Sequence, residues 1–194
     1  MGRVRQAGKN IFFGYISNFI ILAMGLLQRD VFIRTLGRTL LGVNSLYTDI
    51  LSMLSLAELG IGSALNYSLY KPVASGDLEK IKSYMRLYRK AYLAIAGVIG
   101  GSGLALTPFL PYLIKESERG EISVTELTVY YLIFLFNTVS TYFVAYKYSL
   151  ANDQQCNYIQ TNIATITKIV TVLAQIIVLY LTGNFLLYLL IQAA

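Results

Sequence analysis

The chain has 194 residues, of which 56% are hydrophobic and only 13% charged, with a formal net charge of +6 and a mean hydropathy of +0.57. An ordinary soluble domain carries about 25% charged residues, so the composition argues against a water-soluble globule; the apolar excess sits in runs that approach the length needed to cross a hydrocarbon core of about 30 Å. Cys156 is the only cysteine and histidine is absent, which leaves no zinc ligand set and no Cys/His nucleophile pair, so no metal, cofactor or redox chemistry is expected. The positive charge reads as topogenic Lys and Arg on cytoplasmic loops and not as a nucleic-acid footprint.

The first predicted span covers residues 11–33. It follows Arg3, Arg5 and Lys9, as a signal peptide would, but an arginine-rich stretch and four further apolar segments come after it, so it reads as a retained helix. At its outward end stand Arg29, Asp30, Arg34 and Arg38. The last three are spaced i, i+4, i+8, so they stack on one face if the helix continues, with Asp30 in the favourable order ahead of Arg34. Cations at an outward end are unusual: either they serve function or they snorkel to the outer headgroups.

The second span is predicted over 43–66. Within it Glu58 shares a face with Tyr47, Ser55 and Gly62, while Asp49 joins Ser45 and Ser52 on the opposite face. Glu58 stands just before Gly60-Ile61-Gly62, where glycine permits a kink. It lines a cavity, or it is satisfied by neighbouring hydroxyls or by a cation of the first helix. Lys71, Lys80, Lys82, Arg86, Arg89 and Lys90 then make the segment 71–90 cytoplasmic.

In the third span, 91–114, Gly97 and Gly101 form a small-xxx-small pair suited to close helix packing, and Pro108 and Pro111 should bend or end the outer part. The next loop carries Lys115 and Arg119 beside Glu116, Glu118 and Glu121 and falls outside. The fourth span, 125–146, holds Asn137 and Thr141, which interhelical hydrogen bonding would explain. The fifth, 159–181, carries a polar stripe of Thr161, Thr165, Lys168 and Gln175 that should face protein or water, with snorkelling as the alternative for Lys168. A sixth begins at Phe185; residues 185–194 amount to about half a crossing, so the chain reads as cut. The expected fold is therefore an all-α, multi-pass bundle of about five and a half spans with its N-terminus in the cytoplasm.

Polar residues within apolar spans mark a pathway or a packing contact. Here the candidates are Arg29, Asp30, Arg34, Glu58, Asn137, Lys168 and Gln175. A cavity lined by Arg29, Arg34, Lys168 and hydroxyls suits an anionic, hydroxyl-rich solute such as a phosphate ester or sugar, because arginine offers a planar fork to phosphate oxygens.

An ordered set of runs carries a resemblance. It includes Val31-Phe32-Ile33-Arg34-Thr35-Leu36-Gly37, the stretch from Leu54-Ser55-Leu56-Ala57-Glu58 through Leu59-Gly60-Ile61-Gly62, and Ser68-Leu69-Tyr70-Lys71-Pro72. It continues with Leu87-Tyr88-Arg89-Lys90-Ala91-Tyr92, Pro108-Phe109-Leu110-Pro111-Tyr112 and Tyr146-Lys147-Tyr148-Ser149-Leu150. Together these resemble the oligosaccharide flippases of bacterial surface-polysaccharide synthesis, in a superfamily that also holds multidrug antiporters. Arg29-Asp30 is similar to the cavity pair of lipid-linked peptidoglycan-precursor flippases, although the second span lacks the further arginine of that family. The resemblance implies one lobe of a two-lobe, six-plus-six-helix transporter of the cytoplasmic membrane. Its substrate would be a polyprenyl-diphosphate-linked oligosaccharide, its partners membrane lipid and a missing C-terminal lobe, and nucleic acid would not be among them. The alternatives are a cation-coupled drug antiporter, an inactive truncated lobe, and part of a glycan polymerase or ligase, for which the outward loop looks too short.

Overall fold

A computed structural model describes residues 2–56, 61–114, 122–153 and 157–193, with side chains for 14–56, 64, 67–114, 122–145 and 162–193. The described chain is helical throughout. Its elements are α1 (Gly2–Ser55), α2 (Ile61–Ser75), α3 (Leu78–Leu106), a 3-10 turn at Thr107–Phe109, α4 (Leu110–Leu113), α5 (Val124–Asp153), α6 (Asn157–Thr182) and α7 (Phe185–Ala193). Four stretches are long and apolar enough to cross a membrane: Gly14–Ser55, Leu78–Leu113, Val124–Ala145 and Asn162–Thr182.

The first of these, at 42 residues, would be about 63 Å long if straight, twice a hydrocarbon core. It is not straight, because Gly37 sits at φ 83 and ψ 176. That left-handed region is open to glycine and strained for side chains with a Cβ, so a single residue divides α1 into two limbs. The loop expected between residues 33 and 43 is thus replaced by helix up to a one-residue break. The stack of Asp30, Arg34 and Arg38 is corrected in consequence: it ends at Arg34, because Arg38 belongs to the second limb. The span expected over 43–66 is also divided, with α1 ending at Ser55 and α2 starting at Ile61; Glu58 lies outside the described residues.

Local chemistry starts several helices. Asp77 caps α3, its carboxylate accepting from Lys80 N at 3.1 Å, and the hydrogen bond from the Lys80 side chain holds that carboxyl below its usual range. Ser123 and Glu126 form a reciprocal capping box at α5: Glu126 N donates to Ser123 Oγ at 3.1 Å, and Ser123 N donates to Glu126 Oε2 at 2.9 Å. Pro108 and Pro111 fall where α3 gives way to the 3-10 turn and α4, as the loss of backbone donors requires. Gly183, at φ 56, ends α6, and Asn184 caps α7 by accepting from Leu186 N at 2.8 Å.

α1 packs most extensively on α6, and α3 on α5; α2 bridges α3 and α5, and α7 lodges against α5 and α6. The main core is aromatic. Tyr47 meets Tyr131 edge-on at 5.3 Å, Phe32 meets Tyr188 at 5.1 Å, and Tyr130 meets Phe185 at 4.8 Å, the T-shaped geometry that ring quadrupoles favour. A second cluster, Tyr92, Ile95, Ala96, Ile99 and Tyr142, joins α3 to α5. The glycine contact there differs from the expected Gly97 and Gly101, which have nothing within 4 Å of an added Cβ. Gly100 and Gly103 face α5 instead, against Val139 and Leu135. Outward, Ile166, Val170, Leu173 and Ile177 form an exposed apolar stripe on α6, the surface a lipid-solvated bundle presents.

Candidate functional site

The two limbs of α1 enclose a pocket of about 270 Å³ lined by Gln28, Arg29 and Phe32 from one limb, Leu41, Asn44 and Ser45 from the other, Lys168 from α6, and Tyr188 and Gln192 from α7. Among the described residues its lining includes two cations and no carboxylate. Neither Arg29 nor Lys168 makes a hydrogen bond or ion pair among the described residues, and both are exposed. In the wall, Asn44 Oδ1 is buried without a hydrogen-bond partner among the described residues, a state that costs about 1–3 kcal/mol until a donor reaches it.

Gln192 also lines a second pocket, of about 320 Å³, with Thr48, Ser52, Ser55, Asn137, Thr138 and the apolar Leu51, Leu56 and Phe134. Among the described residues this pocket bears hydroxyls and amides and no charge. The Thr48 and Ser55 hydroxyls donate to the carbonyls of Asn44 and Leu51 at 2.8 Å, so their oxygens remain available as acceptors. Gln192 lines both pockets, so the two adjoin as a polar groove in two parts, one cationic and one neutral.

The predicted site residues divide accordingly. Arg29, Lys168 and Asn137 line the groove. Asp30 and Arg34 pair with each other, Arg34 Nε to Asp30 Oδ2 at 2.9 Å, on the exposed side of α1 and outside both pockets. Gln175 is 1% exposed and belongs to a polar clamp beside the groove. Gln28 Nε2 donates to Gln175 Oε1 at 2.7 Å and to the Tyr188 hydroxyl at 2.6 Å, while Gln175 Nε2 donates to the Tyr188 carbonyl at 3.2 Å. The clamp ties α1, α6 and α7 together and sets Gln28 and Tyr188 in the wall of the cationic pocket. Thr165 is buried on the same side of α6, and the side chain of Thr161 lies outside the described residues.

Sequence reasoning passed over Gln28, Asn44 and Gln192. Gln28 was readable as an uncharged polar residue inside an apolar run, and Gln192 as the one amide side chain of its short helix. Among the described residues no cluster of histidine, cysteine and carboxylates could hold a metal ion.

The fold and groove define a helix bundle with an apolar exterior and an internal polar track. Comparison with protein families, curated proteins and solved structures finds no match to this chain.

Proposed function

We propose that the chain is one lobe of a transporter that turns a polyprenyl-diphosphate-linked oligosaccharide across the bacterial cytoplasmic membrane for surface-polysaccharide assembly. The N-terminus is cytoplasmic in this reading, the two limbs of α1 with α3, α5 and α6 are five membrane segments, and α7, about half a crossing, is a partial sixth. The observation that carries the proposal is the groove: Arg29 and Lys168, with no ion-pair partner among the described residues, at one end, and a neutral set of hydroxyls and amides at the other. A diphosphate wants fixed cations, and a glycan wants exchangeable donors and acceptors without net charge. The ordered resemblance to oligosaccharide flippases supports the same reading. A drug antiporter would want an acidic cavity, whereas the described residues that line the two pockets are cationic or neutral. Because the groove is open on one side, a second lobe would supply its opposite wall.

The test is binding of a short polyprenyl-diphosphate oligosaccharide to the purified chain, with the Arg29→Gln, Lys168→Gln and double variants alongside. Each charge-assisted contact is worth about 1.5–3 kcal/mol, so each single change should weaken binding at least tenfold, and Asn137→Ala should affect the glycan-bearing ligand more than the bare polyprenyl diphosphate. Equal affinity of wild type and double variant would remove the assignment.

A further inference from the structure

Away from the groove, the first turns of α3 carry charge that the bundle leaves unused. Arg86, Arg89 and Lys90 are exposed, with Leu87 and Leu93 exposed among them on the same surface. The opposite side of α3 is buried through Tyr88, Tyr92, Ile95 and Ile99, so the cationic side faces away from the bundle. Two carboxylates stand nearby: Asp77 pairs with Lys80 at 2.8 Å, and Glu79, which lines the same surface about two turns before Arg86, lies 4.0 Å from Lys82. Among the described residues no acid pairs with Arg86, Arg89 or Lys90.

Depth selects what these three cations meet. The apolar part of α3 begins at Ala91. At about 1.5 Å of rise per residue, Lys90, Arg89 and Arg86 lie about 1.5, 3 and 8 Å from it, within an interfacial layer of about 5–8 Å per leaflet; Lys82 and Lys80, at about 14 and 17 Å, lie beyond it. We infer that this face of α3 binds the headgroup of an anionic glycerophospholipid in the leaflet where α3 enters the bilayer. The guanidinium forks of Arg86 and Arg89 take the phosphate oxygens, Lys90 adds a point charge at the hydrocarbon boundary, and Leu93, deeper by about one turn, lies alongside the acyl chains. A soluble acidic partner fits less well, since it would have to reach cations set level with the headgroups and flanked by exposed leucine. The inference stands apart from the transport reading and does not depend on it.

The test is native mass spectrometry of the full chain in detergent, titrated with phosphatidylglycerol or phosphatidylcholine. At about fivefold per interfacial cation, Arg86→Gln should lower the preference for phosphatidylglycerol about fivefold. The triple variant Arg86→Gln, Arg89→Gln, Lys90→Gln should lower it about 100-fold, with its helix content by circular dichroism unchanged. Lys80→Gln with Lys82→Gln should leave the preference within about twofold of wild type. Undiminished preference in both the single and the triple variant would overturn the site, and so would an equal loss in the Lys80/Lys82 variant, which would mean diffuse charge and not this face.

Discussion

Replacing Gly103 by alanine should destabilise the protein, although alanine is the better helix former. A Cβ built on Gly103 runs into the Leu135 side chain, with Cδ2 at 3.0 Å and Cγ at 3.3 Å. Rotating the terminal methyls therefore does not clear the contact, and Leu135 itself is 4% exposed and packed in the main core cluster. The Gly103 carbonyl also accepts from the Tyr131 hydroxyl at 3.1 Å, so displacing the backbone would strain a buried hydrogen bond. Removing a glycine from a helix interior gains about 1 kcal/mol, whereas overpacking a core costs about 1–3 kcal/mol. With Cγ involved the cost falls in the upper part of that range, leaving a net loss of about 1–2 kcal/mol. At Gly101 nothing lies within 4 Å of the added Cβ, so Gly101→Ala keeps the propensity gain. Thermal unfolding in one detergent should show Gly103→Ala lowering Tm by a few degrees, at about 2–4 °C per kcal/mol for a chain of this size, with Gly101→Ala unchanged or higher. Adding Leu135→Val to Gly103→Ala should recover part of the loss. If both alanine variants raised Tm alike, the close approach of α3 to α5 would be refuted.

Three further expectations follow from the bundle and the groove. Gln175→Leu removes two interhelical hydrogen bonds at about 0.5–1 kcal/mol each, so it should cost about 1–2 kcal/mol by unfolding, and Tyr188→Phe, which loses one bond, about half as much; a Gln175→Leu protein as stable as wild type would show the clamp to be idle. In a Cys156→Ser background, Lys168→Cys should react with a membrane-impermeant thiol reagent while cysteines at Gln175 and Val170 stay protected, one buried in protein and the other in lipid; protection at Lys168 would mean that the groove is not wet. Reporter fusions should place Ser75 and Asp153 in the cytoplasm and Glu118 outside, and an outward Ser75 would reverse the orientation.

The helices were legible from run length and composition, which is why the third, fourth and fifth predicted spans fall within α3 to α6. The Asp30–Arg34 pair followed from i, i+4 spacing, and the break near Pro108 from the missing backbone donors. The division of α1 was not legible in the same way. The stretch 34–43 is polar enough to read as a loop, and only φ at Gly37 reveals that helix continues to within one residue on either side. Glycine spacing likewise marked α3 as a packing helix without saying which face has a partner; that depends on where Leu135 and Val139 arrive from α5. The capping box at Ser123 and Glu126 could have been read directly. Gln192 could not have been placed, because its role rests on α7 carrying it to the junction of two pockets whose walls come from distant parts of the chain.

The treatment of polar groups inside this bundle is what separates packing from function. Gln28, Gln175 and Tyr188 satisfy one another, as groups with no water available must, and they tie three helices in doing so. Arg29 and Lys168 stand within one or two turns of that clamp, yet no described acid faces either. Left in hydrocarbon, two such cations would cost about 5–7 kcal/mol even on the lenient insertion scale, and apolar residues at both positions would remove that cost without disturbing the clamp. A bundle able to satisfy Gln175 completely could also have placed a carboxylate opposite Lys168; Asp30 instead pairs outward with Arg34. On the transport reading proposed above, the two charges are held against water or a ligand, and an anion entering from the open side is the species that would relieve both at once.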